Sequence, residues 1–385
     1  MPENRAVVLG GGIGGLTAAA ALHRRGWQVT VLERAAALEP VGAGISLAPN
    51  AQRALDVIGL GDAVRARTAW HGAGGLRTPS GRWLARTRNE AAAARYGGPL
   101  VLLTRTELVE MLARTLPADT VRTGRQARLA DSGARDRPAV VHTEHEQLTA
   151  ELVVVADGIH SGARRVLFPR HPQPAYAGCT TWRFVTDAPR VSFAPHETWG
   201  RGALWGTQPL PDGRVYAYAA AAVSPSQSAP EGERAELARR FGSWHAPVPQ
   251  LIEAVDPAAV LRNDVYEASV PLPAYHRGRV ALLGDAAHAM TPHLGQGGNQ
   301  AIEDAVVLAH HAPPGAADLP GYTLARLRRT TEVVRRSRQA GRIATLGSAP
   351  GCLLRDLTVA VLDRAAPGLA LRALDGIADW SPPTS

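Results

Sequence analysis

Two periodicities alternate along the first part of the chain. Arg5–Leu9 is an apolar run of strand length, Leu16–Arg25 reads as a helix, and Gln28–Leu32 is a second strand ending at Glu33. That order predicts the opening of an α/β protein. Helices follow over 50–58 and 105–115, and Glu151–Val155 is another buried-strand run. From about residue 172 to 275 the texture changes to alternating, aromatic-bearing strands at Ala175–Thr186, Gly202–Gln208 and Gly213–Ala221. Helices are expected there near Glu231–Phe241 and Pro249–Ala254. The strand Val280–Leu283 restores the first pattern, followed by helices at Asn299–His311 and Tyr322–Thr345. The latter is studded with arginines, read as a solvated face. Leu353, Leu354, Leu357 and Val361 recur at helical spacing, which predicts a tail helix packed back on the body. Ser381–Ser385 is expected to fray.

Composition removes several function classes. At 385 residues and 45% hydrophobic, the chain can bury a sizeable core. Its net charge of +8 comes entirely from arginine, since lysine is absent. Without lysine there is no Schiff-base enzyme and no Walker-type phosphate site. The arginines are scattered and accompany no nucleic-acid module, so no nucleic-acid partner is expected. Cys179 and Cys352 are too few and too far apart for a disulfide framework or a cysteine metal site. A cytoplasmic, reducing setting fits that usage and the absence of a cleavable leader. No apolar run reaches bilayer length, so no membrane span is expected. His142 and His145 fall in strand and turn, His310-His311 closes a helix, and His288 reads as structural; no metal site is expected.

Three glycine-bearing turns carry the chemistry. Gly10, Gly12 and Gly15, with Ile13 and Gly14 between them, match G-x-G-x-x-G between a strand and a helix. Glu33 lies 21 residues past Gly12, where an acid accepts from a ribose hydroxyl. Asp157-Gly158 ends the strand at 151–155 and precedes a basic helix start. Gly284-Asp285 ends the strand at 280–283, and Pro292-His293-Leu294-Gly295-Gln296-Gly297-Gly298-Asn299 then leads into a helix. Bare backbone N–H groups at a helix start suit an anionic ligand. Two such elements call for a large, partly anionic cofactor, which a flavin dinucleotide satisfies.

Taken together, these turns resemble the single-component FAD-dependent aromatic monooxygenases of the para-hydroxybenzoate and salicylate hydroxylase type. Gly42-Ala43-Gly44-Ile45, Pro49-Asn50-Ala51 and Arg105 in Thr104–Leu108 add to the likeness, which spans roughly residues 5 to 345. The resemblance implies a Rossmann-like FAD-binding domain of the glutathione-reductase type, with an inserted mixed β-sheet substrate domain and C-terminal helices. It assigns residues 1–69, 100–171 and 276–345 to the first, 70–99 (with Trp70 and Trp83) and 172–275 to the second, and 346–385 to a helical tail. It implies FAD as cofactor and NAD(P)H and dioxygen as co-substrates. The activity expected is hydroxylation of an aromatic or polycyclic small molecule through a flavin C4a-hydroperoxide, in secondary metabolism, by a monomer or homodimer. An epoxidase, a flavin dehydrogenase or a non-catalytic FAD-binding protein are the alternatives on the same scaffold. The absence of lysine argues against the related flavin-dependent halogenases.

By that resemblance Arg34, Ala43, Gly44, Arg105 and Ala127 join the three turns as FAD contacts, and Asp285 binds the ribityl chain. Backbone N–H groups of Gly297, Gly298 and Asn299, in the run that also holds Gly295 and Gln296, face the flavin edge where negative charge develops on reduction. His293 is the candidate base or proton relay for a phenolic hydroxyl, or else a residue that only positions its loop. Pro292 offers a carbonyl to a substrate hydroxyl. Among Trp182, Arg183, Trp199, Trp205, Tyr216 and Tyr218, a subset lines the chamber, and Arg183 is the candidate to hold an anionic or carbonyl-bearing substrate.

Overall fold

The computed structural model describes residues 4–38, 43–67, 73–188, 193–227, 229–365 and 369–383. Gly42, Trp70 and the end of the expected frayed tail, 384–385, lie outside them. Arg5–Leu9 sits inside a six-stranded sheet ordered His276–Arg277, Val280–Leu282, Leu152–Val155, Arg5–Leu9, Gln28–Leu32, Val121–Arg122. All pairs are parallel except the antiparallel edge at His276–Arg277. Parallel strands are covered on both faces, which is why they read as unbroken apolar runs. Leu152, Val153, Val154 and Val155 are all fully buried.

Register brings the three turns together. Leu9 pairs with Val155, and Val155 with Leu282, so three strands separated by over a hundred residues each end side by side. Helix Ile13–Arg24 leaves the first of these ends and helix Gly297–His311 starts beside it. They approach closely because Gly14 has no side chain: a Cβ there would lie 2.8 Å from Leu283 Cδ1 and 3.1 Å from Ala301 Cβ. Both helices begin two or three residues before the pattern predicts, because the glycines themselves form the first turns.

A second, seven-stranded sheet runs Leu261–Glu267, Ala175–Thr186, Val215–Ala221, Ala203–Pro209, His196–Trp199, Ala73–Arg77, Trp83–Arg88. Its residues alternate between two faces. Trp182, Phe184, Trp205 and Ala217 pack on helices Glu233–Phe241 and Val248–Ala254 as one apolar cluster. That removes Trp182 and Trp205 from any chamber wall. Arg183, Tyr216, Tyr218 and Trp199 belong to the opposite face.

Two expectations about the C-terminal helices are corrected. The long helix, Leu319–Ala344, is not simply a solvated arginine surface: Arg326 is 1% exposed. It occupies the inward stripe with Tyr322, Thr330, Val333, Ser337 and Gly341, and it finds buried acids there. The tail helix, Ala349–Ala365, does not bury its leucines. Leu353, Leu354, Leu357 and Val361 are all exposed, Leu354 by 68%, and Arg355 is the residue turned inward. Its guanidinium donates to the carbonyls of Ala344 at 2.9 Å and Ile343 at 3.3 Å and lies over the Trp199 ring. A buried cation claiming free carbonyls at a helix end outcompeted the apolar stripe for the inner face.

Candidate active site

The first turn is shaped by close backbone approach. Gly10 has φ +106°, and a Cβ there would sit 2.4 Å from the Ala156 carbonyl oxygen; one on Gly15 would sit 2.0 Å from the Gly10 oxygen. Gly12 differs. A Cβ on it would meet no protein atom within 4 Å, and no side chain caps the helix it introduces. Its flank is therefore open, beside N–H groups that the helix cannot satisfy itself. Such an opening has the shape and polarity to take a phosphate group.

Glu33 closes the same turn. Its carboxylate accepts from the Gly11 N–H at 2.7 Å and the Ala35 N–H at 2.8 Å, leaving acceptor capacity for a ligand hydroxyl. The segment carrying Ala127 is tied alongside by Arg125 N–H to the Glu33 carbonyl and Gly124 N–H to the Ala35 carbonyl, both 2.7 Å. Arg34 is exposed on that rim. Asp157 is used by the protein itself: one oxygen caps helix Gly162–Leu167 through the Gly162 N–H at 3.0 Å, while the other is enclosed without a partner.

At the other end of the cleft, Gly284 adopts φ +57° and starts the short helix Asp285–His288. The Asp285 carboxylate is solvent-facing and lies 3.9 Å from where a Cβ on Gly297 would be. Helix Gly297–His311 also begins without a side-chain cap, so its first N–H groups are free for a ligand. The Gln296 and Asn299 side chains are not. Gln296 accepts from Asn50 at 3.1 Å, and Asn299 is tied to Ala48, Ser46 and Gly295. Only their main chains are available to a cofactor. Gly295, at φ +62°, makes the bend that turns the chain into this helix.

Gly44 and Tyr216 join the cleft to the second sheet, with a Cβ on Gly44 falling 2.5 Å from the Tyr216 ring. Ala43 is buried, and its carbonyl receives the Arg105 N–H at 2.9 Å. Arg105 is exposed as a residue, yet its charged end is crowded. Loss of water there, and next the nearby Arg183 charge, hold its pKa below the usual guanidinium range. Arg183 donates to Asn263 at 2.6 Å, while its Nε is enclosed without a partner. Two guanidiniums so placed favour an anionic ligand between them.

His293 lies on the short turn Pro292–Leu294 and packs on Gly341 of the long helix, where a Cβ would come within 2.5 Å of Nδ1. Both ring nitrogens are enclosed without a protein partner. Burial lowers its pKa to about 4, so the imidazole is neutral near pH 7. Pro292 is exposed beside it.

One group behind the cleft escapes the sequence reading. Asp304 accepts from His288 Nε2 at 2.5 Å, from the Gly284 N–H at 2.9 Å and from Arg326 at 2.6 Å. Neighbouring Glu303 holds Arg326, Arg329 and Asn50. The signal was present: Glu303-Asp304 are adjacent acids inside the otherwise apolar run 301–309, and buried acids need partners.

The arrangement therefore offers two open helix starts at adjacent strand ends, a ribose-type acid at one extremity and a sheet of aromatic and cationic side chains over the other. These residues fit an elongated anionic dinucleotide, and FAD in particular. Similarity to known proteins agrees. A family model described as FAD binding domain matches residues 3–313. The chain is 37% identical over 364 residues to aurachin C monooxygenase/isomerase of Stigmatella aurantiaca, covering 91% of this chain and 92% of that protein. It is 38% identical over 379 residues to 3-amino-4-hydroxybenzoate 2-monooxygenase of Streptomyces cremeus, covering 91% and 90%. Among solved structures, Klebsiella pneumoniae HpxO complexed with FAD and uric acid superimposes with a TM-score of 0.85 at 28% identity, over 97% of this chain and 96% of that one.

Proposed function

We propose that this chain, which belongs to the FAD-binding-domain family and is one of its FAD-dependent monooxygenases, uses NAD(P)H and dioxygen to hydroxylate an electron-rich aromatic small molecule. The observation that carries the reading is the pair of uncapped helix starts at adjacent strand ends, roofed by the Arg183–Tyr216–Tyr218 face. Bound FAD supplies the two-electron chemistry that places one atom of dioxygen on the ring and releases the other as water.

The chain's own residues bind, orient and shield. Gly12 leaves room for the pyrophosphate, and the adjoining N–H groups neutralise it. Glu33 receives a ribose hydroxyl, Arg34 and Ala127 flank the adenosine, and Asp285 takes the ribityl hydroxyls. The N–H groups of Gly297, Gly298 and Asn299 stabilise negative charge on the flavin edge without moving, because the Asn299 side chain fixes that turn. Arg105 and Arg183 supply cationic surface to the cofactor and to an anionic or carbonyl group of the substrate. Tyr216, seated on Gly44, separates substrate from solvent.

His293 acts as a hydrogen-bond acceptor for the substrate hydroxyl. With its pKa near 4 the ring is neutral near pH 7, so one nitrogen keeps its N–H and the other is free to accept. Polarising the hydroxyl raises electron density on the ring, with the Pro292 carbonyl as second acceptor. The reading is tested by screening phenols and polycyclic aromatics for stimulated NADPH consumption with product mass recorded. A product heavier by one oxygen supports it. NAD(P)H oxidation that no aromatic compound stimulates would overturn it.

A further inference from the structure

Across the second sheet one row of residues shares the face that carries Tyr216. Arg183 pairs with Tyr218, Tyr218 with Gly206, and Gly206 with Glu197. The missing side chain at Gly206 is what lets the Tyr218 ring lie across the row, since a Cβ there would fall 2.0 Å from Cζ. The ring reaches Glu197, and its hydroxyl donates to Oε2 at 2.8 Å. Trp199 Nε1 donates to the other oxygen at 2.5 Å.

Both partners donate as placed, and a carboxylate accepts on both atoms. Both donors are also neutral. Among the described residues no arginine is paired with Glu197, in a chain whose other buried acids, Glu303 and Asp304, are both held by Arg326. An enclosed carboxylate without a cation is costly. It has acceptor capacity left, and its residue is only partly covered.

Tyr218 and Trp199 pack with Leu204, Ala220 and Ala344, at the end of the long helix. Gly341, one turn earlier on that helix, carries His293. His293 thus meets this helix at Gly341, and the Tyr218–Trp199 pair that holds Glu197 meets it at Ala344.

We propose that Glu197 selects the substrate by receiving an amino group on its aromatic ring. Resting on the monooxygenase reading, the inference names the class that the site takes: amino-substituted phenols. The substrate supplies a further donor, an amino N–H, to the acceptor capacity that Tyr218 and Trp199 leave on this carboxylate.

The experiment titrates FAD-loaded protein with 3-amino-4-hydroxybenzoate and, separately, 4-hydroxybenzoate, following the flavin absorbance. Binding is read without turnover, so failure of oxygen insertion is scored separately. The parent should bind the amino compound about 10- to 100-fold more tightly, the range of one hydrogen bond to a charged group. Glu197→Gln should erase that preference, leaving FAD content and affinity for 4-hydroxybenzoate unchanged. Tyr218→Phe keeps the carboxylate and should keep the preference; with the parent's two affinities it decides the matter should E197Q lose its flavin. Equal affinities in the parent, no spectral response to either compound, or an equal loss of both in E197Q would overturn the proposal.

Discussion

Asp304 accepts the backbone N–H of Gly284 at 2.9 Å from a position with no solvent exposure. An acid on the helix behind the cleft thereby fixes the turn that presents Asp285 in front. Removing one member of a buried, hydrogen-bonded ion cluster costs about 3–5 kcal/mol. Asp304→Asn should therefore lower the unfolding midpoint of the apoprotein substantially and weaken FAD retention, although residue 304 touches no cofactor. Thermal unfolding and flavin content after gel filtration check both. Asp285→Ala should weaken retention alone, with the unfolding midpoint unchanged.

Gly10 and Gly12 separate two uses of the same motif. Gly12→Val adds atoms where the protein has none, so the apoprotein should fold with an unchanged circular dichroism spectrum and carry no FAD. Gly10→Ala drives a Cβ against the Ala156 carbonyl at positive φ, so it should lose soluble protein as well as flavin. A Gly12→Val protein recovered yellow would place the pyrophosphate elsewhere.

His293→Ala should remain yellow and still consume NAD(P)H, yet divert more reducing equivalents to hydrogen peroxide. Losing a group that assists proton movement costs about 10²–10⁴ in rate. Product and peroxide per NAD(P)H, measured in both proteins, test it; unchanged coupling would assign His293 to loop structure.

Stability should fall in mild acid. Burial lowers the pKa of His196 and of His293 to about 4, below the ordinary imidazole value of about 6.5. Above pH 6.5 neither group binds a proton in either state, so they contribute no pH dependence. Between 6.5 and 4 the unfolded chain takes up protons that the folded state refuses, and stability declines as pH falls. Below 4 the loss is complete and constant. Unfolding midpoints at pH 7.5, 6 and 5 should decrease in that order, and less steeply in His196→Gln.

Leu354→Ser should change stability by no more than about 0.5 kcal/mol, as exposed positions do. Leu282→Ala, at the fully buried end of the strand Val280–Leu282, should cost about 2–5 kcal/mol. Chemical denaturation of the two variants distinguishes the outward tail helix described above from one folded inward.

Much of the cofactor cleft was legible before folding. Arg5–Leu9, Gln28–Leu32 and Ala175–Thr186 occupy the predicted strands, because a buried parallel strand and an alternating one write different apolar periods into the chain. The glycine turns were legible for a related reason: close backbone approach tolerates no Cβ, and Gly10 and Gly15 meet that demand. What only tertiary structure decided is which polar residues face inward. Arg326 and Arg329 are three residues apart on one helix, yet only Arg326 points at buried Asp304. Leu353 and Leu354 have the spacing of a core stripe, yet Arg355 took the inner face. Glu197 became an uncompensated carboxylate only when strand register laid Tyr218 over Gly206. Apolar periodicity is local and so is carried by sequence; the pairing of a charge with its partner is fixed by contacts between strands and helices far apart in the chain.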